Sequence, residues 1–282
     1  MNRALVIAVL FLASCKTAEP RPQAAPPVVA AEDFQIVTQT LTDCAVKYTG
    51  TVEATAEPVT VEKAVFEFVV DGKVLKSGEK RLGVEIAAGA KADFSLEESF
   101  TYVKDVEDLK AMDARGGSIL MALRGNLVVQ VKHTGEDGKV TSSPLQLAFA
   151  RSREVRTPRL PHLKLQELEA GRFSESEVQI TFHLAVVNPN PFVLSMSSLD
   201  YVVTVAGKEV ANASQGKGDK VSPASTGVFD VQVTVNEETH GKDVQKLIKG
   251  LKLPYTVKGK LTAALYEEPL EASGEVKLNP PK

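Results

Sequence analysis

The sequence predicts an all-β chain: two tandem antiparallel β-sandwiches, each with one short α-helix. Three observations lead there. After Asp33, apolar residues recur at every second position over long runs, the period of a strand with one face in a core. Turn residues punctuate those runs at short intervals, as at Ala206-Gly207-Lys208 and Ser222-Pro223-Ala224. The same order of strands, turns and one helical stripe then occurs twice, at an offset of roughly 135 residues, too long for a solenoid unit and about one sandwich domain.

The chain begins with a different pattern. Arg3 precedes an apolar run from Ala4 to Leu12, and Leu12-Ala13-Ser14-Cys15 follows from its last residue. A basic start, an apolar stretch and small residues before a cut site read as a secretory signal peptide over residues 1–14. The run is far shorter than the ~20 apolar residues a spanning helix needs. Leu12 to Cys15 resembles the lipobox of bacterial lipoproteins. That resemblance implies cleavage before Cys15, a diacylglycerol on its sulfur and acylation of the new N-terminus. More than one acyl chain gives stable anchoring where a single chain gives only marginal binding. Lys16 after the cysteine points, by analogy with lipoprotein sorting, to the outer membrane of a Gram-negative cell envelope.

Residues 15–32 read as the lipidated cysteine and a tether. Lys16 to Glu32 holds four prolines and many alanines without periodicity, an extended spacer. Residues 33–157 form the first expected sandwich. Its helical stripe is Val103, Val106 and Leu109, near Tyr102 to Met112, with Gly116-Gly117 behind it. Arg151 to Pro161, with four arginines and two prolines, reads as a solvated linker, a basic patch against lipid being the other reading.

Residues 158–282 form the second expected sandwich, where the alternation is clearest. Val178, Ile180, Phe182, Leu184 and Val186 make one strand, and Leu199, Tyr201, Val203 and Val205 another. Phe229 to Val235 follows, then Tyr255 to Leu265 around Gly259, then Leu270 to Leu278 around Gly274. Val244, Leu247, Ile248 and Leu251 fall at helical spacing and predict an amphipathic helix near His240 to Gly250. The repeat shows in three pairings. Lys104-Asp105-Val106 matches Lys242-Asp243-Val244, Asp71-Gly72 matches Ala206-Gly207, and Arg124-Gly125-Asn126-Leu127 matches Lys258-Gly259-Lys260-Leu261.

Asn188-Pro189-Asn190-Pro191-Phe192 ends the most regular strand. Asparagine side chains bond nearby backbone and favour turns. Each precedes a proline and is pushed to extended geometry, and the prolines cannot donate to a ladder. The local chemistry is that of a sandwich corner with Phe192 as an apolar anchor. With Pro161 to Leu168, Val178 to Asn190, Leu199 to Val210 and Val221 to Gly227 around it, this segment resembles the WHy (water stress and hypersensitive response) domain, or type 2 late-embryogenesis-abundant domain. The resemblance covers about Arg159 to Asn279, and reaches Asp33 to Thr157 only through the repeat, where Thr55-Ala56-Glu57-Pro58 stands in place of the motif. It implies a fibronectin type III-like sandwich, no catalytic residue, and a role in protecting proteins or membranes against drying or other stress.

Composition removes several other classes. A formal net charge of −3 gives no electrostatic footprint for nucleic acid. No tryptophan and few aromatics leave little for sugar or base platforms. If Cys15 carries lipid, Cys44 has no intramolecular partner and reads as a small buried apolar residue. His133, His162, His183 and His240 lie outside metal-ligand spacing, and no phosphate loop or nucleophile elbow is present. Glu97-Glu98 and Glu267-Glu268 read as solvated faces or edge charges. The expectation is a protein without catalytic residues, metal or cofactor, partnered by a membrane through Cys15 and by client proteins. The alternative is an envelope binding or assembly module presenting its domains to a protein partner.

Overall fold

The computed structural model describes residues 25–135 and 137–278. The expected signal peptide, Cys15 and the tether through residue 24 lie outside the described residues. In chain order the elements are β1 (Val28–Gln39), β2 (Asp43–Glu53), β3 (Val59–Val70), β4 (Lys73–Ile86), β5 (Lys91–Thr101), α1 (Val106–Arg115), β6 (Ser118–Thr134) and β7 (Val140–Arg156). The second set is β8 (His162–Phe173), β9 (Val178–Asn188), β10 (Leu194–Ser195), β11 (Ser198–Val205), β12 (Lys208–Gln215), β13 (Lys220–Val221) and β14 (Ser225–Val235). Then come α2 (Glu237–His240), a 3₁₀ turn (Gly241–Asp243), α3 (Val244–Lys249), β15 (Lys252–Ala263) and β16 (Tyr266–Lys277).

The fold is all-β, as the alternation requires, and its topology repeats. A three-stranded sheet β1-β2-β5 faces a four-stranded sheet β4-β3-β6-β7. The later strands give β14-β9-β8 and β12-β11-β15-β16, the same order strand for strand, with the two-stranded β10-β13 added. Every strand pair is antiparallel. The paired turns repeat too: Asp71-Gly72 and Ala206-Gly207 all take positive φ, the geometry of two-residue hairpin turns. Asp71 N–H donates to Leu120 O, and Ala206 N–H to Pro254 O.

Each core is the inward face of its strands. In β9, Val178, Ile180, Phe182, Leu184 and Val186 are all fully buried. A row of alternating size crosses the four-stranded sheet of the first sandwich, Gly78–Phe66–Gly125–Phe149, each residue opposite the next. The second sandwich repeats it as Ala213–Tyr201–Gly259–Leu270. Glycine leaves room for the neighbouring ring to lie over its backbone, so large and small residues interdigitate across the pleat. Gly50 opposite Phe94 and Gly274 opposite Tyr255 follow the same rule.

Three expectations are corrected. The tether does not extend to Glu32: Val28 and Val29 already pair with Glu53 and Val52 in β1. Glu32 accepts a hydrogen bond from the buried Tyr48 hydroxyl (2.5 Å), so pairing overrides a spacer-like composition. Arg151 to Arg156 is not linker but the last part of β7, paired with β6 through Ser118. Only 157–161 connects the two sandwiches. The helix expected from His240 to Gly250 is split: Gly241, at φ 67°, stops α2, and α3 ends at Lys249. Leu251 takes φ 55° and is exposed, so it leaves the helical stripe.

Candidate functional site

The Asn188–Phe192 corner leaves β9 and is built from buried polar groups. Asn188 and Asn190 are 1% and 0% exposed. Buried amides are costly unless their donors and acceptors are matched. Asn188 Nδ2 donates to the carbonyls of Phe192 (2.8 Å), Val221 (3.1 Å) and Ser222 (3.0 Å). Its Oδ1 accepts from the backbone N–H and the side-chain amide of Asn190, both at 3.1 Å. The turn-forming role read from sequence is therefore present, but most of the bonds reach further. Asn188 ties its own corner to the end of β13 and the turn before β14.

Asn190 faces the connector. Its Oδ1 accepts from Arg159 N–H (2.7 Å) and its Nδ2 donates to Arg159 O (2.8 Å). Ala224 N–H donates to Asn190 O (2.8 Å). Phe192 is buried, and with Leu194, Met196, Leu41, Thr42 and Ala264 it lines an apolar cleft of about 280 Å³ between the sandwiches. Pro189 and Pro191 fix the turns between these anchors. The first sandwich has a counterpart in another register than the sequence implies. Gly89 N–H donates to Thr55 O, as Ala224 does to Asn190, and the Thr55 hydroxyl donates to Ala25 O. Thr55, not Glu57, stands in the place of Asn190.

The remaining candidate residues are dispersed. His183 lies on the outer face of the three-stranded sheet, with Nδ1 2.7 Å from Asp230 and Nε2 3.9 Å from Glu169. The Asp230 hydrogen bond, opposed by desolvation and aided by Asp230, Glu169 and Glu167 charges, raises its pKa above the ordinary histidine value. His133 bonds Ser143 and Glu57, and His162 approaches Glu268. His240 is buried, its Nε2 donating to Val205 O (2.9 Å) and its Nδ1 2.8 Å from the Thr239 hydroxyl. Cys44 is buried 3.9 Å from Met121 Sδ, and burial pushes its thiol up to about 12. A thiol so placed is a packing group rather than a nucleophile. Among the described residues, no three His, Cys, Asp or Glu side chains come together as a metal site would need. Of the glutamate pairs, Glu97 meets Lys47, Glu98 meets Lys76 and Glu267 meets Lys260 across strands or seams, while Glu268 accepts from Tyr266.

The corner, the strands that carry it and the helical break coincide with a family match. Residues 183–266 match the family model described as Late embryogenesis abundant protein. The matched segment lies within the second sandwich. It takes in the second half of β9, the Asn188–Phe192 corner and the helical segment, and ends at the first residue of β16. No curated protein matches the chain. Among solved structures, a protein from Archaeoglobus fulgidus is similar at 18% identity and TM-score 0.29, over 41% of this chain and 98% of that one. Red sea bream transglutaminase is similar at 10% identity and TM-score 0.28, over 88% of this chain and 31% of that one. A Bacteroides uniformis β-glucuronidase is similar at 10% and TM-score 0.29, over 82% of this chain and 26% of that one. The chain spans under a third of either enzyme, and likenesses this low carry no argument about activity.

Proposed function

We propose that this protein is a non-enzymatic, lipid-anchored protector of proteins or membranes under drying or related stress, held in the cell envelope through Cys15. The single observation behind the protective role is the late embryogenesis abundant type 2 domain at residues 183–266. Both sandwiches act in this reading as tandem WHy-like domains, the first a degenerate copy. A folded domain of this kind would act through its surface, since its asparagines and histidines are engaged within the fold rather than gathered in a reactive cleft. The test is recovery of a drying-sensitive enzyme after desiccation with the full chain, against equal masses of serum albumin. Recovery clearly above albumin is expected, and equal recovery would overturn the protective role. For the anchor, Cys15→Ser should move the protein from the membrane pellet to the soluble fraction, and an unchanged distribution would refute lipidation there.

A second reading, an envelope module that recruits a protein partner, is favoured by one seam. In the first sandwich Lys76 of β4 bonds Glu98 and Ser99 O of β5. Among the described residues no side-chain bond crosses the corresponding seam between β12 and β14. An open strand edge is where a partner's strand adds. Crosslinking in intact envelopes from a residue on β14 would support this reading by capturing one specific partner, and the absence of any adduct would dismiss it.

A further inference from the structure

Arg159 is held from two sides. The Asn190 side chain grips its backbone by both N–H and C=O, at 2.7 and 2.8 Å. Its guanidinium turns to the first sandwich, where Nε donates to Asp113 Oδ1 on α1 (2.6 Å), and Leu160 N–H donates to the same oxygen (3.2 Å). Next to it, the backbone N–H and hydroxyl of Thr157 both donate to Gly117 O, just beyond α1. Pro158 and Pro161 restrict what lies between, each pushing the residue before it to extended geometry.

We propose that Asn190–Arg159–Asp113 is a brace that fixes the orientation of the second sandwich on the first, with Asn190 as its positioning residue. The corner motif thus does more than end a strand: it converts a five-residue connector into a rigid joint. Three features single this joint out. Asn190 is fully buried and supplies an acceptor and a donor to the two peptide units that flank Arg159, so it fixes direction as well as distance. The Arg159–Asp113 contact joins two opposite charges at hydrogen-bond length, stronger than a neutral bond. In the first sandwich, Thr55 has only a hydroxyl to hold Ala25, whose methyl side chain reaches no acidic partner. The clamp is therefore duplicated, but among the described residues the charged extension is found only between the sandwiches. The sandwiches it joins also line the apolar cleft of Leu41, Phe192, Leu194 and Met196.

Amide exchange and small-angle scattering of the full chain test the brace. Asp113→Ala removes a group on α1 without touching the second sandwich. It should raise exchange at the Leu160 amide by about tenfold or more and widen the distribution of particle sizes, while protection in β9 stays unchanged. Asn190→Ala should do the same at the Arg159 amide. If that variant destabilises its own sandwich, Asp113→Ala and Arg159→Met carry the test, and their effects should not add because they break one link. A particle-size distribution unchanged in Asp113→Ala, or a Leu160 amide that exchanges as freely in the parent chain, would overturn the proposal.

Discussion

At the residue scale, the glycines opposite aromatic rings show how the two halves have diverged. A Cβ on Gly125 would strike the Val65 carbonyl oxygen and lie 2.8 Å from Phe66 Cα and 2.9 Å from the Phe149 ring. The first two are backbone atoms of the neighbouring strand, so the sheet itself must move. A Cβ on Gly259 meets Asp200 O at 3.4 Å, Leu163 Cδ2 at 3.5 Å and Leu270 Cβ at 3.6 Å, ordinary contacts. Gly125→Ala should therefore destabilise its sandwich by about 1–3 kcal/mol, as overpacking does. Gly259→Ala should be neutral or stabilise by about 0.4–1 kcal/mol, because alanine has fewer unfolded conformations to lose. Denaturant titrations of the two variants decide it, and losses of equal size would contradict this account. The sequence showed Gly259 inside an apolar run and the pairing of Arg124-Gly125 with Lys258-Gly259. It could not show which one has backbone pressed against it, because that depends on how closely the neighbouring strand approaches.

At the element scale, the helical segment of the second sandwich was legible in kind and not in its break. The stripe of Val244, Leu247 and Ile248 is real, and Val244 and Ile248 are buried. The break was written in Asn236-x-x-Thr239, an asparagine and a threonine at capping-box spacing. Asn236 Oδ1 accepts from Thr239 N–H (3.1 Å) and Asn236 N–H donates to Thr239 Oγ1 (3.0 Å), which starts a separate turn that Gly241 then ends. That turn places His240 to donate to the end of β11. Asn236→Ala should cost about 0.5–2 kcal/mol, the usual range for a lost cap, and should loosen the His240 contact first. Thermal unfolding together with the His240 ring resonances would show it, and an unchanged midpoint would mean the cap contributes nothing. Strands followed the same logic. β9 was plain because its whole inner face is apolar. The end of β7 was misread because its arginines, exposed at an edge, look like linker. The reach of Asn190 was invisible, since Arg159 and Asp113 approach it only through the tertiary fold.

At the scale of the whole molecule, the two sandwiches depend on opposite signs of shifted charge. In the first, Asp71 is partly desolvated, which opposes ionisation, but the Leu120 amide and the Arg115 guanidinium outweigh this and hold its carboxyl below the usual range. Hydrogen bonds and charge from Lys63 and Lys47 lower Glu79 and Glu97 as well. A carboxylate with a depressed folded pKa contributes stability above its unfolded value and loses it as pH falls through the folded one. These three contributions fade below about pH 4. In the second sandwich the shifted groups among the described residues include His183, raised by Asp230, and Lys260, raised by Glu267. A cation with a raised folded pKa stabilises fully below its unfolded value and ceases to as pH climbs through the folded one. For His183 that loss begins above about pH 6.5. Up to about pH 8, the Cys44 thiol and Tyr48 hydroxyl of the first sandwich are protonated in folded and unfolded chain alike, so their raised values remove no stability there. The order of unfolding should therefore depend on pH. Acid should weaken the first sandwich ahead of the second, and mild alkali the second ahead of the first. Amide exchange at pH 3.5, 6 and 8, after correction for intrinsic rates, resolves the halves through the strand cores around Leu127 and Ile180. Asp230→Asn should flatten the alkaline trend of the second sandwich and leave the acid trend of the first untouched. Parallel loss in both sandwiches across this range would show instead that the brace makes them unfold as one unit, with the shifted charges too weak to set the order.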